Sequence, residues 1–345
     1  MVKIGKNLPL RLDLDDLPEE GGGVTAVLIG SKSMRDAHLL ASQVASSDAP
    51  VLLQGESGTG KELFARLIHT MSNRKEKPFV PVNCGILKGE MFADKFFGHE
   101  AGAFTGASRL QKGSFEMAGD GTLFLDEVGE IPPNNQADFL RVLEQRTFRR
   151  LGGERPLPFE ARIVAATNRN LQEMVKSGHF RADLYYRLNV VPVFLPPLRQ
   201  RREDIPILAS HFLDHFALRY HKHGMRLAPR SLSVLSSYAW PGNARELRNL
   251  IERLVLVHPE GVIEPEGLPA ELQPGAPVQL DEPSMDNLTL DAAVRDAEIK
   301  AIFRAFRQAK GSRAVTAELL GISPRTLRHK VREYSLNLTS HFRGF

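Results

Sequence analysis

Two short stretches of this chain combine residue types and spacings suited to handling phosphate. In Gly55-Glu56-Ser57-Gly58-Thr59-Gly60-Lys61-Glu62 the glycines let the backbone bend so that successive N–H groups converge on an anion. Lys61 can reach the outer phosphates of a nucleotide, and a helix starting there adds its positive end. This is the P-loop pattern except at its last position, where Glu62 stands in place of the hydroxyl that usually helps hold Mg²⁺. The second stretch, Gly121-Thr122-Leu123-Phe124-Leu125-Asp126-Glu127, is an apolar strand ending in two carboxylates. Beside a P-loop, Asp126 is expected to hold Mg²⁺ and Glu127 to orient and polarise the attacking water of ATP hydrolysis. Phosphoryl transfer also needs positive charge near the γ-phosphate. Arg181 and Arg187, six apart, could supply it, or could be surface charges on a helix; residue types alone leave both readings open.

These residues need strands and helices to position them. Val51–Gln54 is a short apolar run ahead of the glycine loop, and Leu63-Phe64-Ala65-Arg66-Leu67-Ile68 follows at helical spacing, giving strand, loop, helix. Ala26–Ile29, Phe79–Val82, Leu123–Leu125 and Ile163–Ala166 are further strand-length runs. Met34–Val44, Glu62–Met71 and Gln136–Leu143 read as helices between them. The alternation predicts an α/β fold, a mostly parallel sheet covered by helices on both faces. After Pro196-Pro197 the strands are expected to stop. Asp204–Tyr220, Pro229–Tyr238 and Ala244–Val257 read as helices of a small all-helical domain, the last with Asn243 as N-cap. Residues 1–23 read as a mobile tail, with one edge strand as the alternative.

The 345 residues suffice for two or three domains, and 42% hydrophobic with 25% charged residues is ordinary for a soluble globular protein. The N-terminus lacks a signal-peptide core and no apolar run reaches membrane length. The single Cys84 excludes an intramolecular disulfide, and a cytoplasmic protein is expected. Charge is unevenly distributed. Residues 259–290 hold six prolines, seven acidic residues and no Lys or Arg, the composition of a linker; residues 291–345 hold eleven Lys/Arg against five Asp/Glu. A basic tail on an acidic tether points to a polyanionic partner. Within it, Thr289 is expected to cap a helix whose apolar face includes Leu290, Val294, Ala297, Ile302, Ala305 and Phe306. Ser312–Leu320 reads as a helix, Gly321 as a turn, Ser323 as an N-cap with Pro324 at the first helical position. Arg325–Tyr334 then forms a helix with Arg325, Arg328, His329, Lys330 and Arg332 outward and Leu327 and Val331 inward, a helix-turn-helix whose second helix enters the DNA major groove. Ser323 and Thr326 join Arg325, Arg328, His329 and Arg332 as candidate DNA contacts.

Gly102-Ala103-Phe104-Thr105-Gly106-Ala107 carries a resemblance. By composition it is a glycine-flanked loop whose Phe could be exposed or tucked inward as an anchor. Segment 24–270 resembles the AAA+ ATPase domain of bacterial enhancer-binding proteins, the activators of sigma-54 RNA polymerase, in which this GAFTGA loop is characteristic. The resemblance implies that Phe104 and Thr105 contact sigma-54, and it makes Glu62 the family's usual P-loop ending. Asn83 matches the switch Asn that the family pairs with the Walker B Glu, here Glu127; its other reading is a polar cap at a strand end. Thr167-Asn168 matches sensor I, and Arg181 and Arg187 match the arginine fingers acting on a neighbouring subunit's ATP. Trp240-Pro241-Gly242-Asn243-Ala244-Arg245 matches sensor II in the helical lid, with Arg245 sensing nucleotide. Ile29 and Gly30 complete the expected nucleotide-binding set. The tail resembles the Fis-type DNA-binding domain of these activators, departing from it at Pro324 where a basic or polar residue is common.

The resemblance implies a tail (1–23), an AAA+ α/β subdomain (24–195), a helical lid (196–258), a linker (259–290) and a helix-turn-helix domain (291–345). The implied function is an ATPase that binds upstream DNA, assembles as a homo-oligomer from dimer to hexameric or heptameric ring, and remodels the closed complex of sigma-54 RNA polymerase. ATP and Mg²⁺ are the implied cofactors, and no membrane is involved. Family members often carry a receiver domain ahead of the ATPase; 23 residues are too few for one, so either a regulator acts in trans or the chain is a truncated form. A general AAA+ remodeller and a repressor that takes nucleotide only as a ligand are the alternatives.

Overall fold

The computed structural model describes residues 10–13, 26–86, 89–272, 298–299, 302, 305–306, 309 and 312–333. The chain divides into two compact units, 1–277 and 278–345.

The first unit is built on five parallel strands: β3 (Val51–Gln54), β4 (Phe79–Asn83), β7 (Thr122–Asp126), β10 (Arg162–Thr167) and β11 (Val191–Phe194), in spatial order β11-β3-β10-β7-β4. The inner strands are apolar on both faces, as a sheet covered on both sides requires. Leu52, Leu123, Leu125, Ile163 and Ala165 point into one core, while Val51, Leu53, Phe124, Val164 and Ala166 point into the other. That period of two sorts each strand between helix layers. α1 (Lys32–Val44) and α2 (Lys61–Thr70) cover the second face through Met34, Ala41, Phe64 and Ile68. The first face packs on α3 (Glu90–Phe97), α4 (Ser114–Met117), α5 (Pro133–Gln145), α6 (Leu171–Lys176) and α7 (Ala182–Leu188). An aromatic cluster fills it, with the Phe96 and Phe139 rings edge to face at 4.7 Å. Two short antiparallel pairs decorate this layer: β5 (Gly98–His99) with β6 (Gln111–Lys112), and β8 (Thr147–Phe148) with β9 (Leu157–Pro158).

Several expectations need correction. Ala26–Ile29 (β2) lies outside the parallel sheet and pairs antiparallel with Leu10–Asp13 (β1), so part of the expected N-terminal tail is a strand. The place beside β3 belongs to β11, whose Pro192 masked it in the sequence; an edge strand tolerates the missing N–H. The helical subdomain of α8 (Ile205–Arg219), α9 (Pro229–Ser237) and α10 (Asn243–Val257) also contains a parallel pair, β12 (Arg226–Leu227) with β13 (Val262–Ile263), so it is not all-helical. That subdomain reaches past residue 258, because Ile263, Leu268 and Leu272 complete the same core as Phe212, Trp240 and Ile251. Residues 273–290 of the expected linker lie outside the described residues. Finally, Asn243 is the first residue of α10 rather than its cap, and its side chain is used elsewhere.

In the second unit the helices Arg313–Leu319 and Pro324–Glu333 are joined by a turn at Gly321, whose φ of 64° suits glycine. Leu327 is buried with Ile302, Phe306 and Ala317, and Val331 packs against this cluster. Thr289, Leu290, Val294, Ala297 and Tyr334 lie outside the described residues.

Candidate functional site

Parallel strands bring their C-terminal ends to one edge, and the candidate residues sit there. Asn83 is in register with Asp126, and Thr167 with Gln54, the last residue before the glycine loop. Such an edge is where α/β sheets bind ligands. Against it lies a cavity of about 300 Å³ lined by loop residues Ser57 to Glu62, by Asp126, Glu127 and Asn168, and by Arg201, Arg245 and Arg248 of the helical subdomain.

Gly58 and Gly60 take φ of 76° and 99°, the left-handed region in which a side chain is strained. Space forbids one at Gly58 too, where a Cβ would come within 2.3 Å of the Gly242 carbonyl. Lys61 folds back over the loop, its Nζ donating to the carbonyls of Gly55 at 2.8 Å and Glu56 at 2.9 Å. Burial lowers the Lys61 pKa, opposed by Asp126; burial raises the Asp126 pKa, opposed by Lys61. Each charge therefore offsets part of the other's desolvation. Glu62 pairs with Arg66 one turn on, at 2.9 Å.

Glu127 follows the strand in the left-handed conformation, φ 55°, its N–H donating to Asp126 Oδ1 at 3.0 Å. Asn83 accepts the Gly85 N–H at 2.7 Å and makes no hydrogen bond to Glu127, so the expected pairing is absent here. The two side chains still converge: a Cβ on Gly85 would lie 2.5 Å from Glu127 Oε2 and 3.2 Å from Asn83 Oδ1. At the sensor I position the Thr167 hydroxyl is bonded to the Arg169 backbone, leaving Asn168 as the residue that lines the cavity. Arg245 donates to Ser57 Oγ at 2.9 Å.

Not every candidate converges. The Gly30 N–H donates to Asp204 at 3.0 Å, and Gly30 does not line the cavity; the Ile29 side chain lies outside the described residues. Arg181 and Arg187 are also absent from the lining. Arg181 pairs with Asp183 at 2.8 Å and Arg187 donates to the Leu143 carbonyl at 2.8 Å, both on the exposed side of α7.

Sequence reasoning missed the contacts that seat the helical subdomain on the loop. Arg199 grips the Glu56 carboxylate, lowering its pKa. Buried Arg201 donates to the Thr59 carbonyl at 2.9 Å. Asp204, whose pKa burial raises, accepts from Ser31 N at 2.6 Å and Ser31 Oγ at 2.8 Å. Their only signal was a charged run, Arg199 to Asp204, directly after the strand-ending prolines.

Gly102 to Ala107 forms the tip of an excursion between β5 and β6. The Gly102 N–H closes it on the Ala107 carbonyl at 2.7 Å, and Gly102 and Gly106 have φ of 85° and 106° with nothing beside them. Phe104 is 43% exposed, touching the His99 ring at 4.9 Å, so it is no core anchor. Thr105 is exposed. Arg150 braces the base, bonding Glu100 at 2.7 Å and Glu116 at 2.9 Å.

In the second unit Ser323 Oγ accepts the Thr326 N–H at 3.1 Å, as an N-cap does. Arg325, Arg328 and His329 are exposed on the second helix. Lys330, expected outward, is half-buried and paired with Glu298 at 2.5 Å. The Arg332 side chain lies outside the described residues.

The sheet order, the glycine loop, the paired carboxylates and the subdomain closing over them define a P-loop ATPase of the AAA+ class. Family models narrow this. The Sigma-54 interaction domain matches residues 27–194, the AAA+ ATPase lid domain 199–284, and the Bacterial regulatory protein, Fis family 293–334. The chain is 45% identical over 315 residues to Regulatory protein AtoC of Escherichia coli (strain K12), covering 90% of this chain and 68% of that protein. It is 43% identical over 317 residues to Nitrogen fixation protein AnfA of Azotobacter vinelandii, covering 92% of this chain and 59% of that one. The crystal structure of NtrX from Brucella abortus in complex with ATP matches with TM-score 0.65 and 33% identity, over 89% of this chain and 68% of that chain. This chain belongs to the family of sigma-54-dependent transcriptional activators, whose AAA+ domains are ATPases. It spans less than two thirds of several relatives it matches. Among the described residues, no helix is long and apolar enough to cross a membrane.

Proposed function

We propose that this protein binds upstream DNA through residues 291–345 and hydrolyses ATP in rings built from residues 24–270, remodelling the closed complex of sigma-54 RNA polymerase in the cytoplasm. Division into an α/β subdomain to residue 195, a lid, a linker and the DNA-binding domain belongs to the same reading, with the lid extended to Leu272. One observation carries it: a glycine loop, Lys61, Asp126 and Glu127 of the α/β subdomain, with Arg245 of the lid, surround one cavity, while the α/β subdomain also presents Phe104 and Thr105 to solvent on a glycine-hinged loop. An ATPase site and an exposed gripping loop on one subdomain are the two ends of a coupling device.

The residues present fit a nucleotide with Mg²⁺. The loop offers N–H donors, Lys61 an ammonium, and Asp126 a half-buried carboxylate of the kind that holds Mg²⁺ together with substrate phosphates. The metal would neutralise charge on the phosphate oxygens. Glu127 orients and deprotonates the attacking water, and Asn83, beside it over Gly85, positions that carboxylate. Asn168 and Arg245 read the outer phosphate. Arg181 and Arg187 do not line their own subunit's cavity, which suits fingers acting on a neighbour's site, with a second copy as the partner that completes it. DNA is gripped by Arg325, Arg328, His329 and Arg332, with Ser323 and Thr326 at the helix start.

The test is open-complex formation by sigma-54 holoenzyme at a cognate promoter. ATP supports it and ADP does not; equal activity with ADP would remove hydrolysis from the mechanism.

A further inference from the structure

We infer that Asn243 and Arg201 of the lid are positioning residues that hold the phosphate-binding loop in its binding shape, so that nucleotide affinity depends on the lid being seated. The inference rests on the reading of the Gly55–Glu62 loop as the nucleotide site.

A trans peptide is planar, with its C=O and the next residue's N–H pointing in opposite directions. The Ser57 carbonyl accepts from Asn243 Nδ2 at 2.9 Å, and the Thr59 carbonyl from Arg201 Nη2 at 2.9 Å. With these two carbonyls pinned toward the lid, the N–H groups of Gly58 and Gly60 must point the other way. Neither donates to any group among the described residues, and both glycines carry positive φ. Alternating carbonyls out and N–H groups in is the geometry of an anion-binding nest. The loop's own lysine pins a different pair of carbonyls, Gly55 and Glu56.

Both lid residues are built for this task. Asn243 is fully buried and holds φ 54°, a conformation Asn adopts more readily than most residues. Its Oδ1 accepts the Leu198 N–H at 2.7 Å, fixing which way the amide faces and aiming its N–H₂ at the loop. Arg201 is 4% exposed, so its bond to the Thr59 carbonyl is made away from water, and among the described residues its Nε has no partner.

The experiment measures ATP and ADP dissociation constants, ATPase KM and kcat, and thermal stability for the full chain and its variants Asn243→Gly, Arg201→Met, Arg201→Lys and Lys61→Ala. Glycine accepts the positive φ without strain and changes no charge. Methionine removes the donor to Thr59, and lysine restores one. Asn243→Gly and Arg201→Met are expected to weaken both nucleotides about tenfold or more and to raise KM well beyond any change in kcat. Arg201→Lys recovers most of the loss, which a general loss of fold would not allow. If wild-type binding disappears in Lys61→Ala but stays within about twofold in folded Asn243→Gly and Arg201→Met, the lid's role is overturned while the nucleotide site stands. A wild-type chain that binds no nucleotide overturns the site reading itself.

Discussion

Arg199 holds Glu56 in a two-pronged grip, Nη1 to Oε2 at 2.7 Å and Nη2 to Oε1 at 2.5 Å, joining the lid to the second residue of the glycine loop across 143 residues of chain. Fork-to-fork geometry fixes direction as well as distance. It ties the helical subdomain to the glycine loop of the α/β subdomain.

A pH dependence follows from this pair. The Arg199 hydrogen bond holds the Glu56 pKa below its ordinary 4.5. Because the folded pKa is the lower one, the unfolded chain takes up the proton first as pH falls. The stabilisation is therefore present above 4.5 and lost as pH drops through the folded value. Thermal melts of wild type and Glu56→Gln should differ at neutral pH and converge below pH 4.5; a gap that widens on acidification would contradict the assignment.

Binding and turnover separate at two residues. Lys61→Ala is expected to abolish nucleotide binding, since the ammonium is the loop's main positive charge. Glu127→Gln should bind nucleotide normally and lose hydrolysis, because an amide cannot take the proton from water. Nearly normal ATPase in Glu127→Gln would remove it as the water-activating group.

How much of this was legible in the sequence follows physical lines. The glycine loop, the strand ending in Asp126-Glu127 and the outward arginines of the last helix announce themselves locally, because turn chemistry and periodicity are local properties. β11 was hidden by Pro192, which only knowledge of an edge position makes acceptable. Asn243 read as a helix cap because capping is the commonest use of Asn there, and its bonds to Ser57 span 186 residues. Residue types leave Phe104 open between solvent and core, and its 43% exposure decides for solvent. Contacts distant in sequence leave no periodic trace.

Assembly is testable through Arg181 and Arg187, which lie away from their own cavity. ATPase per subunit should rise with protein concentration. Mixing Arg187→Ala with Glu127→Gln subunits should recover activity, since some interfaces then join an intact site to an intact finger. Concentration-independent turnover by a demonstrated monomer would exclude action between subunits.

If Arg325, Arg328, His329 and Arg332 divide DNA recognition between base edges and phosphates, substitutions at the first two, both exposed on one helix, should tell the two roles apart. Loss of a base contact should cost roughly 1–3 kcal/mol at one position of the site, whereas loss of a phosphate contact should weaken all sequences alike and flatten the salt dependence. Binding titrations at several salt concentrations, on cognate and scrambled duplexes, distinguish the two; a variant that moves neither quantity makes no contact.

If Gly102–Ala107 converts hydrolysis into work on sigma-54, Thr105→Ala should uncouple the two. Thr105 is exposed and Phe104 is 43% exposed, so neither Thr105→Ala nor Phe104→Ala should cost more than about 1 kcal/mol, against roughly 3–5 kcal/mol for a buried phenylalanine such as Phe139. The measurement is promoter opening by sigma-54 holoenzyme with Thr105→Ala, alongside its ATPase rate, DNA binding and melting temperature. Near-normal stability, DNA binding and ATPase are expected, with open-complex formation abolished. Full promoter opening by Thr105→Ala would contradict this coupling.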